Sequence, residues 1–199
     1  TPCGTLFPYT TLFRSSFSNL RLPDDWHYSL KQYADSIGIE FLSTPFYLEA
    51  VDLLEHVGVT RYKIASGDIT FLPLLEKVGA TGKPVLLSTG GSNLSEIEQA
   101  IKVLDKSGAG PITLLHCVVS YPPNFEEMNL RAIETMQKRF GLVVGISDHS
   151  PGCLVPLGAV ALNAAVIEKH VTFGRSLPGR DHAFAMTFPE FHDMVASVR

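Results

Sequence analysis

His149 and His170 are the residues of this chain whose type and spacing best suit them to chemistry. Each closes a strand-like apolar run, VVGISDH at 143–149 and VIEKH at 166–170, and the apolar stretch 152–165 between them reads as one connecting helix. Consecutive parallel strands point the same way, so residues at their C-terminal tips converge on one rim of the sheet, where barrel active sites lie. Two imidazoles on adjacent tips can share a divalent metal ion; the alternative for each is a hydrogen-bonded structural histidine.

The other strand ends carry polar groups too: Ser43 and Thr44, then Lys63 with Ser66, Gly67 and Asp68, then Ser88 and Thr89, His116, and Ser147 with Asp148. An unsatisfied buried polar group costs roughly 1–3 kcal/mol, and a ligand at the rim would supply the missing partners. Lys63, inside YKIASGD, either binds a phosphate or carboxylate or snorkels to solvent. Thr44, Ser66 and Ser147 are placed to donate hydroxyls to the same anion. Asp68 is a candidate general base, with the N-cap of the following helix as the alternative. Asp148 and Glu168 adjoin the histidines and would orient the imidazoles or tune a bound water, unless a neighbouring lysine or arginine takes them. Asp181, in the loop-like LPGRDH at 177–182, either accepts from sugar hydroxyls or is a plain turn aspartate. His56 and His192 read as surface residues.

The elements that must position these groups follow from periodicity. Strands are predicted at 39–44, 61–65, 84–88, 112–117, 143–149 and 166–170, alternating with helices at 24–37, 49–56, 72–78, 93–107, 130–139 and 152–165 and a last helix from Thr187. The fourth helix of this series starts either at a capping box of Ser95 with Glu98 or at Ser92 or Asn93, and TFPE at 187–190 gives the last one a cap, an early proline and a glutamate three residues on. Alternating strand and helix marks a parallel α/β architecture. The count matches a (β/α)8 barrel lacking its first two units, with an open doubly wound sheet as the alternative. No GxGxxG follows the first strand, which disfavours a dinucleotide site.

Composition removes other classes. With 199 residues, 45% of them hydrophobic, the chain can bury a substantial core. A net charge of −4 with no basic run favours neither nucleic acid nor an anionic membrane as partner. Cys3, Cys117 and Cys153 form no CxxC spacing and are odd in number, against a disulfide framework or zinc knuckle and in keeping with a reducing cytoplasm. The most apolar stretch, 152–167, is broken by Pro156, Gly158 and Asn163 and is too short for a bilayer span. Residues 1–15 show neither helical nor strand periodicity and read as a non-native leader similar to translated adapter sequence, which leaves 16–199 as the partial barrel.

As a set, FLSTPF (41–46), YKIASGD (62–68), GKPVLLSTG (82–90), LLHC (114–117), GISDHS (145–150), EKH (168–170) and PGRDH (178–182) resemble the sialic acid synthase family. Members of that family, the nonulosonate synthases, condense phosphoenolpyruvate with an N-acetylated hexosamine. The resemblance runs from about Leu22 to the C-terminus. It implies a TIM (β/α)8 barrel, of which about six βα units are present here. It also implies a divalent cation, manganese first and magnesium or cobalt as alternatives, on His149 and His170. By the same resemblance Thr44, Lys63, Ser66 and Ser147 hold phosphoenolpyruvate, Tyr121 and Asp181 lie near the amino sugar, Asp68 and Glu168 match site acids, and the full-length protein is a homodimer. The implied reaction is attack of the enolpyruvate C3 on the sugar aldehyde polarised by the metal, addition of water to the resulting cation, and loss of phosphate with C–O cleavage.

This chain departs from the family pattern at Asp68, where many members have glutamate, at Val119, a position polar in some members and followed here by Ser120, and at Arg180, where proline is common. The family's first two strands and its C-terminal antifreeze-like domain have no counterpart in this chain, so a fragment is expected that is inactive or poorly folded by itself. Two other readings are another phosphoenolpyruvate-dependent 3-deoxy-sugar-acid synthase and a non-catalytic degenerate barrel that binds sugar or phosphate. The motifs leave open whether the pathway is sialic, legionaminic or pseudaminic.

Overall fold

The structure, a computed structural model, describes residues 22–199, so the expected leader at 1–15 lies outside the described residues. The chain divides into two compact units, Thr1–Phe41 and Leu42–Arg199. The described part of the first holds helix α1 (Asp24–Ser36), which follows Pro23 and places Asp24 and Asp25 in its first turn, where the helix dipole favours negative charge. Lys31 and Asp35, one turn apart, pair at 2.5 Å.

The second unit alternates helix and strand: α2 (Leu48–Val57), β1 (Tyr62–Ile64), α3 (Leu72–Gly79), β2 (Val85–Ser88), α4 (Leu94–Ser107), β3 (Ile112–Cys117), α5 (Ala132–Phe140), β4 (Val143–Asp148), α6 (Leu154–Ala161) and β5 (Ile167–Lys169). It closes with β6 (Val171–Thr172), β7 (Met186–Thr187) and α7 (Phe188–Val198). The five longer-range strands lie in the order β1-β2-β3-β4-β5, every neighbouring pair parallel. Parallel neighbours need a crossover, and a helix supplies each one. The order never reverses, so the sheet has no topological switch point of the doubly wound kind. It is a parallel half-barrel sheet.

Strand interiors are buried, with Ile64, Leu87, Leu114, Leu115 and Ile146 fully inside, as a sheet covered by helices requires. Gly145 is the one residue that β4 can carry where it does, because a Cβ there would stand 2.4 Å from the Val166 carbonyl oxygen and 2.9 Å from Leu115 Cδ2. Tyr62 is buried at the start of β1; its hydroxyl donates to Glu55 at 2.7 Å, and burial pushes the phenol above its ordinary range.

Four sequence expectations change. Residues 39–44 form no strand: among the described residues no strand pairs with them, and β-propensity without a ladder partner makes no sheet. The expected six strands are therefore five in this sheet. The short parallel pair β6–β7, which no periodicity announced, joins Val171 to Met186 and Thr172 to Thr187. The start of α4 is settled at Asn93, whose side chain accepts from the Ser95 and Glu96 backbone N–H groups at 2.9 and 3.0 Å while Glu96 returns a bond to the Asn93 N–H. Glu98 instead pairs with Lys102 and Arg139. The α7 cap is as read: Thr187 and Glu190 form a capping box, and the bonds Glu190 accepts from Arg175 and Thr187 hold its carboxyl down at about 2. Among the described residues no helix is long and apolar enough to cross a membrane.

Candidate active site

The tips of β4 and β5 set the site. Their register places Ser147 beside Glu168 and Asp148 beside Lys169. Successive side chains on a strand face opposite ways, so these are two polar cross-strand pairs on two different faces. On one, Ser147 Oγ donates to Glu168 Oε1 at 2.6 Å, and the Lys63 ammonium from the tip of β1 lies 3.1 Å from the same oxygen. On the other, Lys169 and Asp148 form an ion pair with side chains 2% and 0% exposed. Both carboxylates are thus paired with lysines, the second of the two roles that their sequence positions allow. Their geometry explains why: each points along its own face to the neighbouring strand, and a backbone carbonyl orients the imidazole instead.

That carbonyl belongs to Val118, 3.1 Å from His149 Nδ1. A carbonyl only accepts, so Nδ1 carries the proton and Nε2 keeps its lone pair. Burial holds His149 below the usual histidine range, with neighbouring His170 acting the same way and the Val118 bond opposing them. A neutral imidazole with a free Nε2 is the form that binds metal. The two imidazole centroids lie 5.2 Å apart. Tyr121 covers His149 at 4.0 Å, Phe184 stands 5.1 Å from His170, and Asp181 Oδ2 lies 3.6 Å from His170 Nδ1. The donor chemistry therefore fits two positions around a divalent ion; among the described residues no group of three or more His, Cys, Asp or Glu side chains converges to complete it.

Around Lys63 a second cluster assembles. Ser66 Oγ, on the short turn Ser66–Asp68 after β1, accepts from the Gly90 N–H at 3.0 Å. Cys117, at the tip of β3 in register with Ser147, is buried; burial pushes its thiol up, opposed by hydrogen bonds to Ser66 and Ser147 and by the charge of Lys63. Gly90 packs so closely here that a Cβ would stand 2.9 Å from both the Cys117 carbonyl oxygen and Ser66 Oγ. Asp68 is pushed up to about 6 by burial, with Lys63 pulling the other way. It does not cap the next helix with its side chain: the residue at the α3 cap is Phe71, whose N–H bonds the Asp68 main-chain carbonyl at 2.9 Å.

Lys63, Ser66, Ser147 and Glu168 thus come together, as do Tyr121, His149, His170 and Asp181. Thr44 does not: among the described residues it makes no hydrogen bond with the Lys63 cluster. His56 and His192 are exposed, as read. Ser120 Oγ donates to the Pro122 carbonyl at 3.2 Å, committing it to its own turn. Sequence reasoning missed Cys117, weighed only for disulfides and zinc, and Phe184, which had no local signal. It noted Ser88 without giving it a role. Ser88 Oγ is the buried side-chain oxygen with no partner among the described residues, a cost of roughly 1–3 kcal/mol that a polar ligand atom would remove. The whole arrangement offers an ammonium and hydroxyls for an anion, a carboxyl titrating near neutrality, and two imidazoles under an aromatic ring.

Comparison with known proteins gives a consistent result. The profile of the NeuB family matches residues 10–199. The chain is 46% identical over 175 residues to the N,N'-diacetyllegionaminic acid synthase of Campylobacter jejuni, covering 87% of this chain and 52% of that protein. It is 32% identical over 182 residues to the human N-acetylneuraminate-9-phosphate synthase, covering 91% and 50%. The chain spans about half the length of the curated relatives it matches. The crystal structure of the sialic acid synthetase from Leptospira borgpetersenii superposes with a TM-score of 0.86 at 38% identity, covering 89% of this chain and 62% of that one. A truncated 3-deoxy-D-arabino-heptulosonate 7-phosphate synthase from Thermotoga maritima shares the fold at a TM-score of 0.78 and 20% identity, covering 88% and 70%.

Proposed function

The chain belongs to the NeuB family, and on that premise we propose that it is the catalytic portion of a cytoplasmic nonulosonate synthase. The reaction is condensation of phosphoenolpyruvate with an N-acetylated hexosamine and release of phosphate. The half-barrel is then part of a TIM (β/α)8 barrel, working as a homodimer in the full-length protein. The observation that carries this reading is the convergence of Lys63 and Ser147 on one carboxylate oxygen of Glu168, on the same strand ends that present His149 and His170.

Lys63 gives the anionic substrate a charge-assisted contact, and Ser66 and Ser147 add hydroxyl donors; Thr44, which makes no hydrogen bond with this cluster, is assigned to the same substrate by family likeness alone. Binding of the phosphate or carboxylate takes over the donors that now satisfy Glu168, which frees that carboxylate for the sugar. Tyr121 and Asp181, flanking the imidazoles, face the amino sugar. Asp68, ionised above about pH 6, accepts the proton of the water that adds to C2 once C3 has bonded to the aldehyde carbon; phosphate then leaves with its bridging oxygen. His149 and His170 would hold a divalent ion, manganese first and magnesium or cobalt next, which would supply Lewis-acid polarisation of the aldehyde oxygen.

The test, run on the full-length protein with Mn2+ present, is phosphate release from phosphoenolpyruvate with N-acetylmannosamine or a di-N-acetylated hexosamine, beside erythrose 4-phosphate and arabinose 5-phosphate. Hexosamine-dependent release is expected. Release with a sugar phosphate but with no hexosamine sinks the reading in favour of another 3-deoxy-sugar-acid synthase, and phosphoenolpyruvate binding without turnover on any acceptor points to a binding barrel. Lys63→Met is expected to weaken phosphoenolpyruvate binding roughly 10- to 100-fold, the equivalent of about 1.5–3 kcal/mol for a charged hydrogen bond.

A further inference from the structure

We propose that the buried Lys169–Asp148 ion pair is a clamp that positions His149 and His170 relative to each other for a divalent cation, an inference that rests on the metal reading above. Asp148 immediately precedes His149 and Lys169 immediately precedes His170, and the two are cross-strand partners in the β4–β5 register. The clamp holds the chain on both sides of His149. Ahead of it, Asp148 takes the Lys169 ammonium; behind it, the Ser150 carbonyl accepts from the same ammonium. Ser150 also donates its N–H to Asp148 Oδ1 at 2.8 Å and its hydroxyl to Oδ2 at 3.0 Å, closing the turn 148–150 around the histidine. His170 is fixed on its far side, where its carbonyl accepts from the Met186 N–H at 2.9 Å.

Stability is a poor reason for this arrangement. A fully buried ion pair is often no more stabilising than apolar residues of the same volume, whereas it specifies one register. Metal sites tolerate ligand displacements of only about 0.2 Å, so a device that fixes the spacing of two imidazoles acts on affinity directly. Among the described residues the pair shares no hydrogen bond with Lys63, Ser147 or Glu168: Ser147 and Glu168 lie on the other face of β4 and β5, and Lys63 reaches them there from β1.

The charge-neutral double variant Asp148→Leu/Lys169→Met tests this. Mn2+ affinity is read by electron paramagnetic resonance titration, phosphoenolpyruvate affinity by calorimetry, and folding by the thermal midpoint. The expected result is a midpoint close to wild type, unchanged phosphoenolpyruvate affinity, and a Mn2+ dissociation constant raised roughly 10- to 100-fold. A wild-type Mn2+ constant in the folded double variant overturns the clamp, and so does a parallel fall of midpoint and both affinities, which is what a merely structural pair would give. Should the double variant not fold, the isosteric Asp148→Asn is measured with the same outcomes, a several-fold loss of Mn2+ affinity being expected. A wild-type protein that takes up no Mn2+ at all overturns the metal reading itself, which separates that failure from failure of the clamp.

Discussion

Burial works against the charge of Asp68, raising its carboxyl from 3.8 to about 6 even with the Lys63 ammonium pulling it down. Because the folded value is raised, the native state holds this proton more tightly than the unfolded chain. Its contribution to stability is complete below about pH 3.8 and is lost as pH rises through about 6. Asp68→Asn removes the titration, so urea unfolding at pH 4.5 and 7.5 is expected to show the variant gaining on wild type at the higher pH, by about 1–2 kcal/mol once partial exposure is discounted. A difference that stays constant with pH contradicts the assignment. The same value gives the rate an acid limb with its midpoint near 6, absent from Asp68→Asn. At this scale the sequence named most of the site, since strand-end position alone singles out Lys63, Ser147 and the two histidines. It could not show which carboxylate meets which cation: Glu168 and Asp148 were equal candidates to serve the imidazoles, and only the alternation of faces across β4 and β5 sends one to Lys63 and the other to Lys169.

Elements were more legible in their existence than in their pairing. β3 has the bounds its apolar run predicted, and α7 has the cap written in TFPE, because both signals are local. The segment 39–44 carries an equally good strand pattern and forms none, because a strand is a property of two segments and no described strand pairs with it. β6 and β7 are two residues each, too short for any period to register. Close packing between elements is likewise invisible until β4 and β5 are side by side. There Gly145 leaves no room: its added methyl would overlap the Val166 carbonyl oxygen at 2.4 Å, backbone that cannot swing aside. Gly145→Ala is therefore expected to cost roughly 1–3 kcal/mol in thermal or urea unfolding through overpacking, and to lower Mn2+ affinity by moving the two histidine-bearing tips apart. An alanine variant with wild-type stability shows that β4 and β5 do not approach as described.

For the molecule as a whole, the proposed function puts the chemistry at the C-terminal ends of the half-barrel strands, and the histidine pair connects that end to global stability. A cation that binds the native state and not the unfolded chain stabilises by mass action, about 2.7 kcal/mol at one hundred times its dissociation constant. For a chain of 150–250 residues each kcal/mol moves the midpoint by about 2–4 °C, so saturating Mn2+ is expected to raise it by roughly 5–10 °C. Chelation with EDTA should reverse the shift, and His149→Ala and His170→Ala should each remove most of it; His149→Ala should also lower the metal-free midpoint, since the buried ring loses its Val118 bond and its Tyr121 contact. Mg2+, which prefers oxygen donors, should shift the midpoint less than Mn2+ at equal concentration, because two imidazoles define this site. Identical melting of the EDTA-treated and Mn2+-saturated protein would mean that the two imidazoles hold no cation, and that Tyr121 and Phe184 pack around an ordinary histidine pair.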